Sequence, residues 1–251
     1  MQSNPRTWEP FPDLGWVRGG FSRRSHGGMS WNGNSAVQVV ENRTAYMARQ
    51  GLALEWCVGA EQVHGDRISI VTEADCRRGA TDPDTRLPAT DGLITRTPGV
   101  ILTTLHADCA PVFFADPLNR SVGLAHVGWR SAVAGLPGKM LRRLAKEFHS
   151  RPASVRIAVG PMISEERYPV DDEVATAFRQ EFGDTVLAMR DGNAHLDLFA
   201  VIVRDLEHAA GFPITALERP PCTASDSGYW SFRRDGADAR SMMAWLTITT
   251  G

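Results

Sequence analysis

Lysine is scarce in this sequence. Most of its 27 basic residues are arginine, and nowhere do Lys and Arg form a block. With a formal net charge of −2, the chain lacks the basic patch on which nucleic acids and anionic membrane surfaces depend, so neither is expected as a partner. No stretch approaches the ~20 apolar residues of a membrane span. The opening run, 1–16, is polar and proline-rich without an apolar segment followed by small residues, so no secretory leader is expected. Cysteine is also sparse. Cys57, Cys76, Cys109 and Cys222 are spaced too widely and irregularly for a disulfide framework, which points to a reducing cytoplasm. Histidine numbers only seven, too few for imidazole-rich multinuclear metal clusters. Internal repeats and low-complexity linkers are absent, and the chain is read as one domain over 1–251 with a sizeable core.

Four amphipathic runs are present. Helices are predicted over 36–50, 138–149, 172–182 and 198–210. Asn34 or Ser35, Asp171 or Asp172, and Asp197 supply N-cap oxygens, and Gly51, Gly183 and Gly211 supply stops. Short runs rich in Val, Ile, Leu, Thr and Phe predict strands over 67–71, 92–95, 100–105, 111–115, 121–125 and 155–159, with 243–249 as a closing strand. Strands come consecutively and helices later, which predicts an α+β fold with a mixed or antiparallel central sheet and packed helices. The Arg-, Asp- and Pro-rich stretch 76–89 is predicted to be an exposed loop.

Three segments carry chemistry: Gln62-Val-His-Gly65, Ala107-Asp-Cys-Ala-Pro111 and Ala125-His-Val-Gly-Trp-Arg130. Each places a His or Cys at a predicted strand end beside Gly or Pro, where the backbone turns and a side chain can face a cleft. Two antiparallel strands of about five residues and a short turn would bring His126 back beside Cys109. No comparable geometry brings His64 to them.

These segments resemble the YfiH family, whose members are labelled laccase-domain or polyphenol-oxidase proteins and have purine nucleoside phosphorylase and adenosine deaminase activity. The resemblance starts at Phe21-Ser-Arg-Arg-Ser-His-Gly-Gly-Met-Ser30 and runs through Glu41-Asn-Arg43 and the three segments above with Thr90-Asp-Gly-Leu-Ile-Thr95. It continues to Gly160-Pro161, Tyr168, Leu196-Asp-Leu198, Cys222-Thr223 and Ser231-Phe-Arg-Arg234. It implies the YfiH fold and a metal, zinc or alternatively copper, held by His64, Cys109 and His126. The substrates it implies are phosphate and purine nucleosides: adenosine, inosine, guanosine and methylthioadenosine. The sequence departs from the family at Met162, where many relatives carry cysteine, at a shortened 31–37 loop, and at Ser131 in place of glycine.

Two imidazoles and a thiolate leave a tetrahedral zinc one open place for water or substrate. Deamination at C6 of adenine needs a proton for the leaving amine. Asp66, Asp91 and Asp108 all lie near the ligands in sequence and could give it. If strand alternation persisted through 108, the Asp108 side chain would point away from Cys109. The catalytic candidates are Asp108, Cys109 and Arg130. Phosphate-binding candidates within the family-like segments are Arg23, His26, Arg43 and Arg233, since guanidinium forks suit phosphate. Trp129 and Tyr168 could stack on a base. Three other readings stand beside the phosphorylase: a copper polyphenol oxidase with a soft axial Met, a cysteine hydrolase or amidase in peptidoglycan precursor editing with Cys109 as nucleophile, and a metal-stabilised binding protein.

Overall fold

The structure, a computed structural model, describes residues 8–250. In chain order its elements are β1 (Val17–Phe21), α1 (Ala36–Arg49), β2 (Cys57–Gly59), β3 (Ile68–Ile70), β4 (Gly92–Thr95), β5 (Ile101–His106), β6 (Ala110–Asp116) and β7 (Ser121–Val127). Then follow α2 (Trp129–Val133), α3 (Leu136–Phe148), β8 (Arg156–Val159), β9 (Pro169–Val170), α4 (Asp172–Phe182), β10 (Leu187–Arg190), β11 (Asn193–Leu196), α5 (Leu198–Ala210), α6 (Phe232–Asp235) and β12 (Met242–Ile248).

The fold is α+β. In place of one central sheet there are two facing sheets and a smaller third. A four-stranded sheet has the order β1-β12-β5-β2 and a five-stranded sheet the order β3-β4-β7-β6-β8. Each is antiparallel apart from one parallel edge pair, β2 with β5 and β3 with β4. The third sheet is β10-β11-β9.

The alternation of side chains shows why the central strands read as unbroken apolar runs. On β6, Phe113 and Ala115 join the core between the two large sheets, while Val112 and Phe114 face the core under α3 and α5. On β12, Ala244 and Leu246 face the inter-sheet core, and Met243 and Trp245 pack with Tyr46 and Met47 of α1. A strand buried on both faces has no polar side to display. The layers therefore run α1, four-stranded sheet, five-stranded sheet, α3 with α5.

The helix ends follow local chemistry. Ser35, Asp171 and Asp197 accept from the backbone N–H of Gln38, Val174 and Ala200 at 3.2, 2.9 and 3.0 Å, and so cap α1, α4 and α5. Helix α3 begins earlier than its predicted start at 138, because Gly135 takes a φ of +71° and Pro137 tolerates the first turn.

The stretch 76–89 is less exposed than predicted. Ala80 and Leu87 are buried, and the Arg43 guanidinium donates to the carbonyls of Gly79 and Ala80.

The crossing that matters most joins β5 to β6. These strands are consecutive in the chain but belong to different sheets. The link, Ala107-Asp108-Cys109, therefore passes from one layer to the other at their shared end, which is where the candidate site forms.

Candidate metal centre and cleft

The β6–β7 hairpin brings Cys109 and His126 together as the spacing predicted. Pro111 pairs with His126 and Ala110 with Val127, so Cys109 emerges beside the end of β7. His64 arrives differently. It does not end a strand, as the sequence had implied, but sits in the loop between β2 and β3 with a φ of +60°. One ligand atom from each of His64, Cys109 and His126 lies within 4.8 Å of the others. The exposure is graded: His126 is buried, Cys109 half-buried and His64 exposed.

Asp91 holds His64 in place from a fully buried position just before β4. One carboxylate oxygen accepts from the His64 backbone N–H at 3.1 Å and from His126 Nδ1 at 2.9 Å. The other accepts from the backbone N–H of Val63 at 3.1 Å and of Gly65 at 2.8 Å. Burial pushes the Asp91 carboxyl up, but hydrogen bonds from His126 and the loop amides outweigh it and hold the group below its usual range. The Gln62 amide grips the opposite side, donating to the Leu105 carbonyl at 2.8 Å and accepting from its N–H at 2.7 Å. The loop is thus pinned between the two large sheets.

His106 supports the cysteine. Its Nδ1 donates to the Cys109 carbonyl at 3.0 Å, and its Nε2 accepts from the Thr104 hydroxyl at 2.7 Å. Burial, then the His126 charge, lower its pKa well below the ordinary range, so it stays neutral. Burial pushes the Cys109 thiol up, yet His126 and His64 more than reverse this and bring it down to about 6. For His126, burial lowers the pKa, and Cys109 with Asp91 raise it to about 9. In the metal-free site the proton thus lies toward His126 and the negative charge on the Cys109 sulfur.

The donor set fits a metal. Its soft anionic sulfur and two ring nitrogens suit zinc, and the Asp91 hydrogen bond at Nδ1 leaves His126 Nε2 as the ligand atom. Gly128, the N-cap of α2, closes the approach. A Cβ there would stand 2.9 Å from His64 Cδ2 and 3.0 Å from Cys109 Sγ. Its φ of −92° is open to any residue, so Gly128→Ala strains the ligands rather than the backbone. Overpacking of about 1–3 kcal/mol then falls on them. Zinc affinity, read by competition with a chelating dye, is expected to fall about tenfold or more, with the metal-free fold retained by circular dichroism.

These ligands form the floor of a cleft of about 560 Å³, which Trp31, Trp129, Tyr168, Arg130 and Arg233 also line. That size suits a nucleoside-sized ligand. Arg130 rests on the Trp129 indole, 4.2 Å from the ring centroid, and Arg233 lies 5.6 Å from the Tyr168 centroid. Arg86, from the stretch predicted to be loop, lines the cleft too and had been missed.

Several sequence-based assignments change. Asp108 lines the cleft but takes a φ of +88°, so strand alternation stops before it. One of its carboxylate oxygens accepts from Thr223 Oγ1 at 2.6 Å; the other accepts from Ser231 Oγ at 3.0 Å and the Arg233 N–H at 2.7 Å. So engaged, it is an acceptor strut beneath Arg233, not an available proton donor. Asp66 is exposed and paired with Lys139.

Arg43 is not free for phosphate. It is buried, and its guanidinium donates to the carbonyls of Met29, Gly79 and Ala80. Arg23 and His26 also stand outside the cleft lining. Arg23 pairs with Asp226 and Tyr229, and His26 Nδ1 accepts from the Arg23 N–H. Met162 is buried in the helix-side core, away from the lining.

Comparison with known proteins identifies the family. The family model described as multi-copper polyphenol oxidoreductase laccase matches residues 17–249. Purine nucleoside phosphorylase YlmD of Geobacillus stearothermophilus is 36% identical over 222 residues, covering 85% of this chain and 80% of the relative. Its crystal structure superposes with a TM-score of 0.89 over 99% of this chain and 98% of that one. The crystal structure of the Bacillus licheniformis hypothetical protein YfiH gives 0.88 at 32% identity, covering 98% of both chains. Adenosine deaminase RL5, from an unknown prokaryotic organism, is 28% identical over 216 residues, 82% of this chain and 80% of the relative. On this evidence the chain belongs to the YfiH-like family whose model carries the polyphenol oxidoreductase laccase description.

Proposed function

We propose that this chain is a cytoplasmic, zinc-dependent purine nucleoside phosphorylase with a second, adenosine deaminase activity, working as one catalytic unit. The observation that carries the reading is the convergence of His64, Cys109 and His126 on the floor of a cleft whose rim bears Arg130 and Arg233. The names of the relatives, purine nucleoside phosphorylase and adenosine deaminase, support the two reactions.

Zinc bound there would supply Lewis acidity at neutral pH, polarising an oxygen or activating water. The chain's own residues do the rest. Cys109 and the two histidines hold the ion, with Asp91 and His106 fixing their orientation. In this reading Arg130 and Arg233, which line the cleft, hold phosphate through bidentate guanidinium contacts. Trp31, Trp129 and Tyr168 offer aromatic faces for the purine.

Copper chemistry is less well supported by the side chains. Among the described residues no methionine lines the cleft, so a thioether axial ligand is not at hand, and only one His/Cys/Asp/Glu cluster of three is close enough to hold an ion. The test is direct. Purified protein given adenosine and phosphate is expected to release adenine and ribose 1-phosphate. It should lose this on chelation and regain it with zinc but not with copper. Turnover unaffected by chelation would remove the zinc reading, and oxidation of a phenol only after copper loading would favour the oxidase.

A further inference from the structure

We infer that the Tyr168 hydroxyl completes, with Arg130 and Arg233, a donor-rich cradle for inorganic phosphate at the rim of the cleft. The inference rests on the phosphorolysis reading and names a group that neither the ligand set nor the arginines supply.

Tyr168 is held firmly. It follows a short helical turn, its N–H donates to the Glu165 carbonyl at 3.1 Å, and its carbonyl accepts from the Leu196 N–H at 3.0 Å. Its ring packs against the helix-side core and lines the cleft with Cys109 and His126. The hydroxyl, however, has no hydrogen-bond partner among the described residues. A half-buried phenol that lines the cleft with its O–H unpaired by protein leaves a hydrogen-bonding group free for a ligand atom there.

The surroundings narrow the chemistry. Neither the Arg130 nor the Arg233 guanidinium has a hydrogen-bonding or ion-pair partner among the described residues, and both stand on aromatic faces that set their direction. The charges acting on Tyr168 are those of Cys109, Arg233, Asp108 and Arg130. Of these, the Asp108 carboxylate is already engaged by Thr223, Ser231 and the Arg233 N–H. Two guanidinium forks and one hydroxyl thus face the cleft with no free carboxylate beside them. A ribose or purine edge presents donors as well as acceptors, whereas a phosphate oxyanion accepts and carries charge, so two donor-only guanidinium forks beside a hydroxyl that can donate suit the anion. Burial raises the Tyr168 pKa, so the phenol keeps its proton throughout the neutral range.

The test compares wild-type protein with Tyr168→Phe, both zinc-loaded. It reads the KM for phosphate and for adenosine in phosphorolysis, the rate of phosphate-free adenosine deamination, and inorganic phosphate binding by calorimetry. The phosphate KM and Kd are expected to rise about ten- to a hundredfold, the range for a hydrogen bond to a charged group. This rise should exceed any change in adenosine KM or deamination by at least about tenfold. Unchanged phosphate KM and Kd would overturn the assignment. So would an equal loss in deamination, which needs no phosphate. If the wild type bound phosphate but cleaved no nucleoside, the phosphorylase reading would fail, while weaker phosphate binding by the variant would still uphold the cradle. A wild type that bound no phosphate would end both.

Discussion

Replacing Cys109 with serine is expected to cut bound zinc from about one ion per chain to a trace and to lower adenosine phosphorolysis at least about a hundredfold. The reason is the character of the ligand. The sulfur is held as a thiolate between two imidazoles, and it is the only anionic donor of the set. A serine hydroxyl stays neutral at pH 7 and is a poor zinc donor, so two ring nitrogens remain where tetrahedral zinc needs more. Outer-shell changes alone commonly cost 10–100-fold in metal affinity, and losing a direct ligand costs more. Metal analysis of the purified variant, a product assay and a circular dichroism spectrum make the measurement. Full activity in the variant would remove the metal proposal. Loss of activity with zinc still bound, together with rapid alkylation of wild-type Cys109 that zinc does not slow, would make Cys109 a nucleophile and favour the hydrolase reading.

The second large effect is expected at Asp91. Its carboxylate accepts from three loop amides and from His126, and all of these groups lose an acceptor in Asp91→Ala. Stranded buried donors cost about 1–3 kcal/mol each, although water entering at the exposed His64 side offsets part of this. The metal-free variant is therefore expected to lose about 3–5 kcal/mol of stability, in line with breaking a buried charged pair. Asp91→Asn keeps the shape and one acceptor oxygen. It should fold, yet bind zinc about 10–100-fold more weakly, because His126 loses the carboxylate that orients its ring and raises its basicity. Urea titration of the metal-free proteins and chelator competition separate the two effects. Native zinc affinity in Asp91→Asn would show that the clamp serves the fold alone.

How far the site could be read from the sequence depended on distance along the chain. Cys109 and His126 are joined by a hairpin, and the strand and turn pattern of that hairpin is local, so their meeting was visible. His64 is held beside them by Asp91 and, through its neighbour Gln62, by Leu105, contacts across 27 and 43 positions made by side chains to the backbone, and no periodicity encodes those. Asp91 therefore looked like one of three equivalent acids. For Asp108, alternation assumes an extended backbone and turns the side chain away from Cys109, whereas a φ of +88° ends alternation there and leaves the residue lining the cleft. Arg43 and Arg23 belong to segments that resemble the family, yet a resemblance does not distinguish an arginine that binds carbonyls from one that faces a cleft. In the fold, the helix caps were legible because each is a contact three residues long. The β10–β11 hairpin was missed despite its Asp191-Gly192 turn, where φ values of +50° and +80° match a tight hairpin bend. The division into two large sheets was hidden because β5 and β6 are neighbours in the chain and not in a sheet.

That passage between layers bears on the order of events in making the protein. Sulfur comes from the link, one imidazole from a strand tip and the other from a loop clipped across both layers, so no half-assembled chain can grip an ion with all three. On the zinc reading, full three-point loading follows closure of the sandwich, and the ion would then act as a latch on an already finished body rather than as a seed for it.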